Sequence, residues 1–132
     1  GAHEHFGQGV SVEVCKRQQN DQGGAPLRVQ DKVEIVEGFR FPPHFDKNDL
    51  THFNTNTLIL SKDAIKTHPL TWFRANKEIA GQSVVQFERL MGEVTSFEDS
   101  TFIEVPRCGP ESRFRPVKTR EDLAQLRTLR SQ

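Results

Sequence analysis

Apolar and polar residues alternate near the start of the chain, with Val10, Val12 and Val14 set against Ser11 and Glu13. A period of two places one set on each face of a strand, so Val10–Val14 is expected to form a half-buried strand. Val33–Val36 is short and β-branched and predicts a second strand. Phe53–Leu60 is rich in Thr and aliphatic residues and predicts a buried strand, with Asn54 and Asn56 sharing one face. Phe102–Val105 predicts another strand, ended by Pro106. Val84–Phe87 reads either as a strand or as the entry to a helix. Leu90, Met91, Val94 and Phe97 recur at helical spacing, which predicts a helix over Glu88–Phe97.

Two cap signals add helices. Ser61, with Asp63 behind it, opens a short helix that Pro69 halts. Thr119 caps the last helix, with Asp122 three residues on as the return arm of a capping box. Leu123, Leu126 and Leu129 form the apolar stripe of that helix. The Asn20–Pro26 segment, with paired glycines and a proline, is expected to be a loop, and Phe41-Pro42-Pro43 an extended crossing. Strands and helices thus alternate, and the expected fold class is α/β, a mixed sheet with flanking helices and crossovers.

Composition narrows the function classes. The 132 residues are one domain's worth of chain, and their 18 basic and 18 acidic side chains cancel. No overall field draws the chain to nucleic acid or to an anionic membrane, so neither is expected as a partner. The longest apolar run is far too short to span a bilayer. Ten Phe and no Tyr mark aromatic mass selected for burial. Cys15 and Cys108 lie far apart without CxxC spacing, which favours a reduced pair and a cytoplasmic location. Residues 1–9 are expected to be a cloning remnant or a frayed terminus. His3 and His5 within them have the H-x-H spacing of a metal pair, with a tag remnant or frayed terminus as the favoured reading, and His44, His52 and His68 show no metal-ligand spacing.

Chemistry concentrates toward the end. After Val105-Pro106-Arg107 come Cys108–Glu111 and then Ser112-Arg113-Phe114-Arg115-Pro116-Val117-Lys118. A lysine ending such a loop is a compact charge on a flexible stem, suited to a phosphate whose charge changes during reaction. Asn54 and Asn56 each offer a donor and an acceptor, which suits sugar hydroxyls, although tying down a strand end would use the same amides. Of Arg107, Arg113 and Arg115, at least two are expected to be solvated surface charges. No glycine-rich phosphate loop precedes a helix, and the one glycine pair is Gly23-Gly24.

Five segments in order carry a resemblance. They are Val12–Arg17, Asp21–Gly24, Phe53–Asn56, Val85–Gly92 and Val105–Arg107 with Ser112–Thr119. Together they resemble the UTP–glucose-1-phosphate uridylyltransferase (UDP-glucose pyrophosphorylase) family, over about Val10 to Leu126. The resemblance implies part of a Rossmann-like, GT-A-like nucleotidyltransferase domain, with residues 10–132 as the sugar-binding C-terminal half of the catalytic domain. It implies UTP and a sugar-1-phosphate as substrates, and Mg²⁺ as a cofactor whose ligands lie in a missing half absent from this sequence.

Residue by residue, Lys118 matches the family's phosphate-binding catalytic lysine and Asn56 its sugar-contacting asparagine, with Asn54 two positions before. Gly23 and Gly24 match a Lys-Gly-Gly turn in which Gln22 stands for the lysine; an ordinary hairpin turn is the other reading. Thr57 and Ile59 depart from the family pattern, and Cys108–Glu111 lengthens the loop before Lys118. The expected function is a fragment of a uridylyltransferase, inactive alone. The alternatives are a non-catalytic sugar-phosphate or nucleotide-binding module of the same ancestry and an α/β interaction domain.

Overall fold

The computed structural model describes residues 9–129 apart from Asn20 and Lys118. Its strands, in chain order, are β1 (Val10–Lys16), β2 (Ala25–Val29), β3 (Lys32–Val36), β4 (His52–Leu60), β5 (Phe73–Ile79), β6 (Gln82–Glu88) and β7 (Ser100–Glu104). The helix α1 (Val94–Phe97) precedes β7, and α2 (Arg120–Leu129) ends the described chain.

β1 is the middle of a three-stranded sheet, antiparallel to β4 and parallel to β7. The sheet is therefore mixed, as expected. The remaining strands form two separate hairpins, β2–β3 and β5–β6. Most connections are hairpins or irregular loops, so the expected alternation of strands with crossover helices is not what the chain adopts.

The strand expected at Val10–Val14 forms but is not half-buried. Val10, Val12 and Val14 are buried, and so are Ser11, Glu13 and Cys15 from the opposite face. A central strand covered on both sides has no solvated face, whatever its alternation suggests. Val10, Val12, Val14, Ile35, Ala64 and Val94 make the larger core cluster, with Leu58, Leu60, Leu70 and Phe102 against it. Each fully buried Val or Ile contributes about 1.5–3 kcal/mol relative to exposure. Cys15, Phe53 and Val105 form a smaller cluster with Ile103 and Phe114, directly beneath the candidate site.

Two helix expectations need correction. Glu88 pairs with Phe73 as the last residue of β6. A single 3₁₀ turn, Met91–Glu93, and the four-residue α1 replace the long helix expected over Glu88–Phe97. The ladder captures Glu88, and Met91 and Phe97 are exposed while Val94 is buried, so the helical spacing did not mark a buried stripe. Ser61 likewise makes no side-chain cap bond, and its helix is one 3₁₀ turn, Lys62–Ala64.

At the other end the Thr119 expectation holds. Thr119 N–H donates to Asp122 Oδ2 at 2.9 Å, and Asp122 N–H donates to Thr119 Oγ1 at 3.2 Å. Leu123 in the stripe of that helix is exposed, and the side chain of Leu129 lies outside those described. No described helix is long and apolar enough to cross a membrane.

Candidate functional site

The Gly23-Gly24 turn, the first half of β4 and the segment after β7 meet at a cleft of about 520 Å³. Gly23, Gly24, Asn54 and Asn56 all line it, with Arg107, Arg113, Phe114, Arg115 and Pro116 across from them. Four residues singled out from two distant segments of sequence are thus brought to one place. Lys118 lies outside the described residues; its neighbours Pro116 and Val117 form irregular chain leading to the cap at Thr119.

The asparagines converge for a reason that strand alternation does not supply. Val12 pairs with Leu58 and Val14 with Asn54, so Thr55, Asn56 and Thr57 together face the single residue Glu13. β4 bulges there, and Asn56 takes a left-handed backbone with φ of 62°. Asparagine tolerates that conformation better than other residues with a Cβ. Asn54 is fully buried and Asn56 is exposed. Asn54 Nδ2 donates to Asn56 Oδ1 at 2.8 Å, and Asn54 Oδ1 accepts from Asn56 N–H at 3.0 Å. Asn54 therefore shapes the bulge, and Asn56 is the amide exposed in the cleft.

The glycine pair is needed for packing. Gly23 has φ of 143°, and a Cβ on it would lie 3.1 Å from the Phe53 ring. A Cβ on Gly24 would lie 2.9 Å from a Glu37 carboxylate oxygen. Gly24 C=O accepts from Asn54 N–H at 2.9 Å, so the turn is fastened to β4 where the asparagines begin. The Glu37 carboxyl behind it is pushed above the ordinary glutamate value by burial, reinforced by Glu88 and opposed by Arg40.

Arg107 clasps the two walls. Its Nη1 and Nη2 donate to Asp21 Oδ2 and Oδ1, both at 2.7 Å, and Nη1 also reaches Lys16 C=O at 3.0 Å. The guanidinium sits 5.3 Å from the Phe114 ring centroid, and Phe114 meets Phe53 edge-on at 5.6 Å. Burial alone would raise the Asp21 carboxyl. Hydrogen bonds from Arg107 and the Gln18 amide, with the charges of Arg107 and Arg17, outweigh it and hold Asp21 below the ordinary aspartate value. Arg107 is correspondingly raised, chiefly by its hydrogen bonds to Asp21.

Arg113 and Arg115 are exposed, but both line the cleft and neither is simply a solvated surface charge. Arg115 Nε donates to Ser112 C=O at 3.2 Å, and Arg113 pairs with the buried Glu13. The residues before them fold back on themselves. Ser112 N–H bonds to Gly109 C=O at 3.2 Å and Ser112 Oγ to Arg107 C=O at 2.8 Å, so Cys108–Glu111 is an excursion closed at its base.

Among the described residues no group of three or more His, Cys, Asp or Glu is placed to hold a metal. The acids lining the cleft, Asp21 and Asp122, are engaged by Arg107 and by the Thr119 cap. These residues do not fit a Mg²⁺ site. His52 bonds Glu104 at 2.8 Å and His68 the Ala64 carbonyl at 3.2 Å; His3 and His5 lie outside the described residues. Cys15 is buried and Cys108 exposed, and both are free thiols.

A family model for UTP–glucose-1-phosphate uridylyltransferase matches residues 5–130. The chain belongs to this family. Among solved structures it is similar to a UDP-glucose phosphorylase from Trypanosoma brucei, at 28% identity and a TM-score of 0.68 over 96% of this chain. It is also similar to a UDP-glucose pyrophosphorylase variant from Leishmania major crystallised with UDP-glucose, at 28% identity and a TM-score of 0.63 over 92% of this chain. In both, the match covers 32% of the neighbour, so this chain spans about a third of their length.

Sequence reasoning missed Asp21 and Glu13 as the partners that hold this family member's cleft arginines, and Phe114 as a wall. Asp21 lies 86 residues before Arg107, and Glu13 100 residues before Arg113. A single sequence carries no signal for pairings that distant.

Proposed function

We propose that this chain is the sugar-binding half of the catalytic domain of a nucleotidyltransferase that moves UMP from UTP to a sugar-1-phosphate, with glucose-1-phosphate as the preferred acceptor. The observation that carries the reading is the meeting of Gly23, Gly24, Asn54 and Asn56 in one cleft, beside Arg113, Phe114, Arg115 and Pro116. The UDP-glucose bound in a structural neighbour suits such a cleft.

In the proposed reaction an oxygen of the sugar-1-phosphate attacks the α-phosphorus of UTP in line. The new P–O bond forms as the bond to pyrophosphate breaks, giving UDP-sugar and pyrophosphate. Asn56, set by Asn54, holds sugar hydroxyls and so orients the attacking phosphate, an entropic contribution. Lys118 stabilises charge that grows on the non-bridging oxygens in the transition state. The cofactor Mg²⁺, the UTP phosphate loop and the Rossmann-like remainder of the domain would come from a partner half outside residues 10–132. A cytoplasmic setting, with small molecules rather than nucleic acid or membrane as partners, fits the balanced charge and the free thiols.

Pyrophosphate release from UTP and glucose-1-phosphate tests the reading. The full-length protein should turn over at an enzymatic rate, and residues 1–132 alone should show none. An inactive full-length protein, or an active isolated chain, would overturn it.

A further inference from the structure

Glu13 is a buried carboxylate in the middle of the central strand, and such a group is costly unless a cation meets it. The cation is Arg113, one of whose Nη atoms bonds Glu13 Oε1. The pair is lopsided. The Glu13 side chain is 5% exposed, whereas that of Arg113 is 66% exposed and lines the cleft shared by Gly23, Gly24 and Asn56. The β4 bulge sits opposite Glu13, and Thr55 Oγ1 donates to Glu13 C=O at 2.8 Å. One interruption of the ladder thus shapes both the asparagine pair and the seat of the arginine.

The other cleft arginines are placed differently. Arg107 spends both Nη atoms on Asp21, and Arg115 has its Nε on Ser112 C=O. A guanidinium offers five N–H donors in a planar fork, and a carboxylate that takes one edge leaves the other oriented. We infer that Arg113, oriented by the buried Glu13, binds a phosphate group of the ligand in this cleft, with Glu13 as its positioning residue. The inference rests on the proposed function for the identity of that ligand. Its chemistry is narrower: a phosphate or diphosphate received by an arginine whose counter-charge lies behind it, out of the ligand's reach.

The test uses the intact protein and two probes, inorganic pyrophosphate and UDP-glucose, titrated by calorimetry. Arg113→Gln alone would strand a buried carboxylate and risk unfolding, so the decisive variant is the double Glu13→Gln with Arg113→Gln. It replaces an ion pair of zero net charge with an amide pair of zero net charge, so altered binding reads the local guanidinium and not an overall field. We expect pyrophosphate affinity to fall roughly tenfold to a hundredfold, the worth of one charge-assisted hydrogen-bonded contact. Arg113→Lys should recover part of it, and the wild-type advantage should shrink as salt rises. Unchanged pyrophosphate affinity in the folded double variant, or no pyrophosphate binding by the wild type, overturns the inference. A wild type that binds pyrophosphate through Arg113 but does not bind UDP-glucose supports it while refuting the uridylyltransferase reading.

Discussion

Removing Arg107 tests the clasp that holds the two cleft walls together. In Arg107→Ala, Asp21 loses two hydrogen bonds of 2.7 Å, and the Lys16 carbonyl loses one of 3.0 Å. The Arg107 and Asp21 side chains are 18% and 12% exposed, so water only partly replaces what is lost. A hydrogen bond to a charged group contributes about 1.5–3 kcal/mol, and breaking a buried pair from one side costs about 3–5 kcal/mol. With both partners at the edge of the cleft, the loss falls between these two figures, and roughly 2–4 kcal/mol of stability should disappear.

Urea unfolding of the wild type, Arg107→Ala, Asp21→Ala and the double variant closes a cycle, and the coupling energy should be at least about 1.5 kcal/mol. The pH dependence has a definite sign. The folded Asp21 pKa lies below its unfolded value, so the stabilisation is fully present above the unfolded pKa and is lost as pH falls through the folded one. The gap between wild type and Asp21→Ala should be flat from neutrality to about pH 4 and close below that. A coupling under about 0.5 kcal/mol, or a gap that persists unchanged to about pH 2, would refute the clasp.

Asn54→Ala removes a buried amide with two bonds to Asn56 and should cost about 1–3 kcal/mol in urea unfolding, whereas exposed Asn56→Ala should cost less stability but more UDP-glucose affinity. Equal losses of stability would undo that division of labour. In the full-length protein, Lys118→Ala should lower kcat by about two orders of magnitude or more with little change in KM, because its partner charge grows in the transition state. Steady-state kinetics showing only a raised KM would make Lys118 a binding residue. Cys108 should be alkylated by iodoacetamide well before Cys15, whose thiol is pushed up by burial against the opposing pull of Arg107. Mass spectrometry showing equal rates would contradict that burial.

What could be read from the sequence was local. The β-branched runs at Val10–Val14 and Val33–Val36, the Thr119–Asp122 box and the Pro106 stop each depend on neighbours within a few residues, and each formed. β5 was missed although Ala80-Gly81 is a two-residue hairpin turn with both φ angles positive, because Arg74, Asn76, Lys77 and Glu78 mask the alternation. The helix expected at Glu88–Phe97 failed because pairing to Phe73 holds Glu88 in a ladder that periodicity does not register. The choice of Asn54, Asn56, Gly23 and Gly24 came from the resemblance, and the bulge that joins the two asparagines was not legible. Its cause is the register of β4 on β1, a tertiary property.

The central claim is that the cleft walled by Gly23, Gly24, Asn54 and Asn56 receives a nucleotide sugar. A titration of ¹⁵N-labelled protein with UDP-glucose, followed through the backbone amides of those four residues and the side-chain amide of Asn56, tests it most directly. The expected result is saturable shifts concentrated on these signals and on Arg113–Arg115, with the β5–β6 hairpin unmoved. Saturating UDP-glucose that leaves all four residues unshifted, or that shifts only residues away from this cleft, would contradict it.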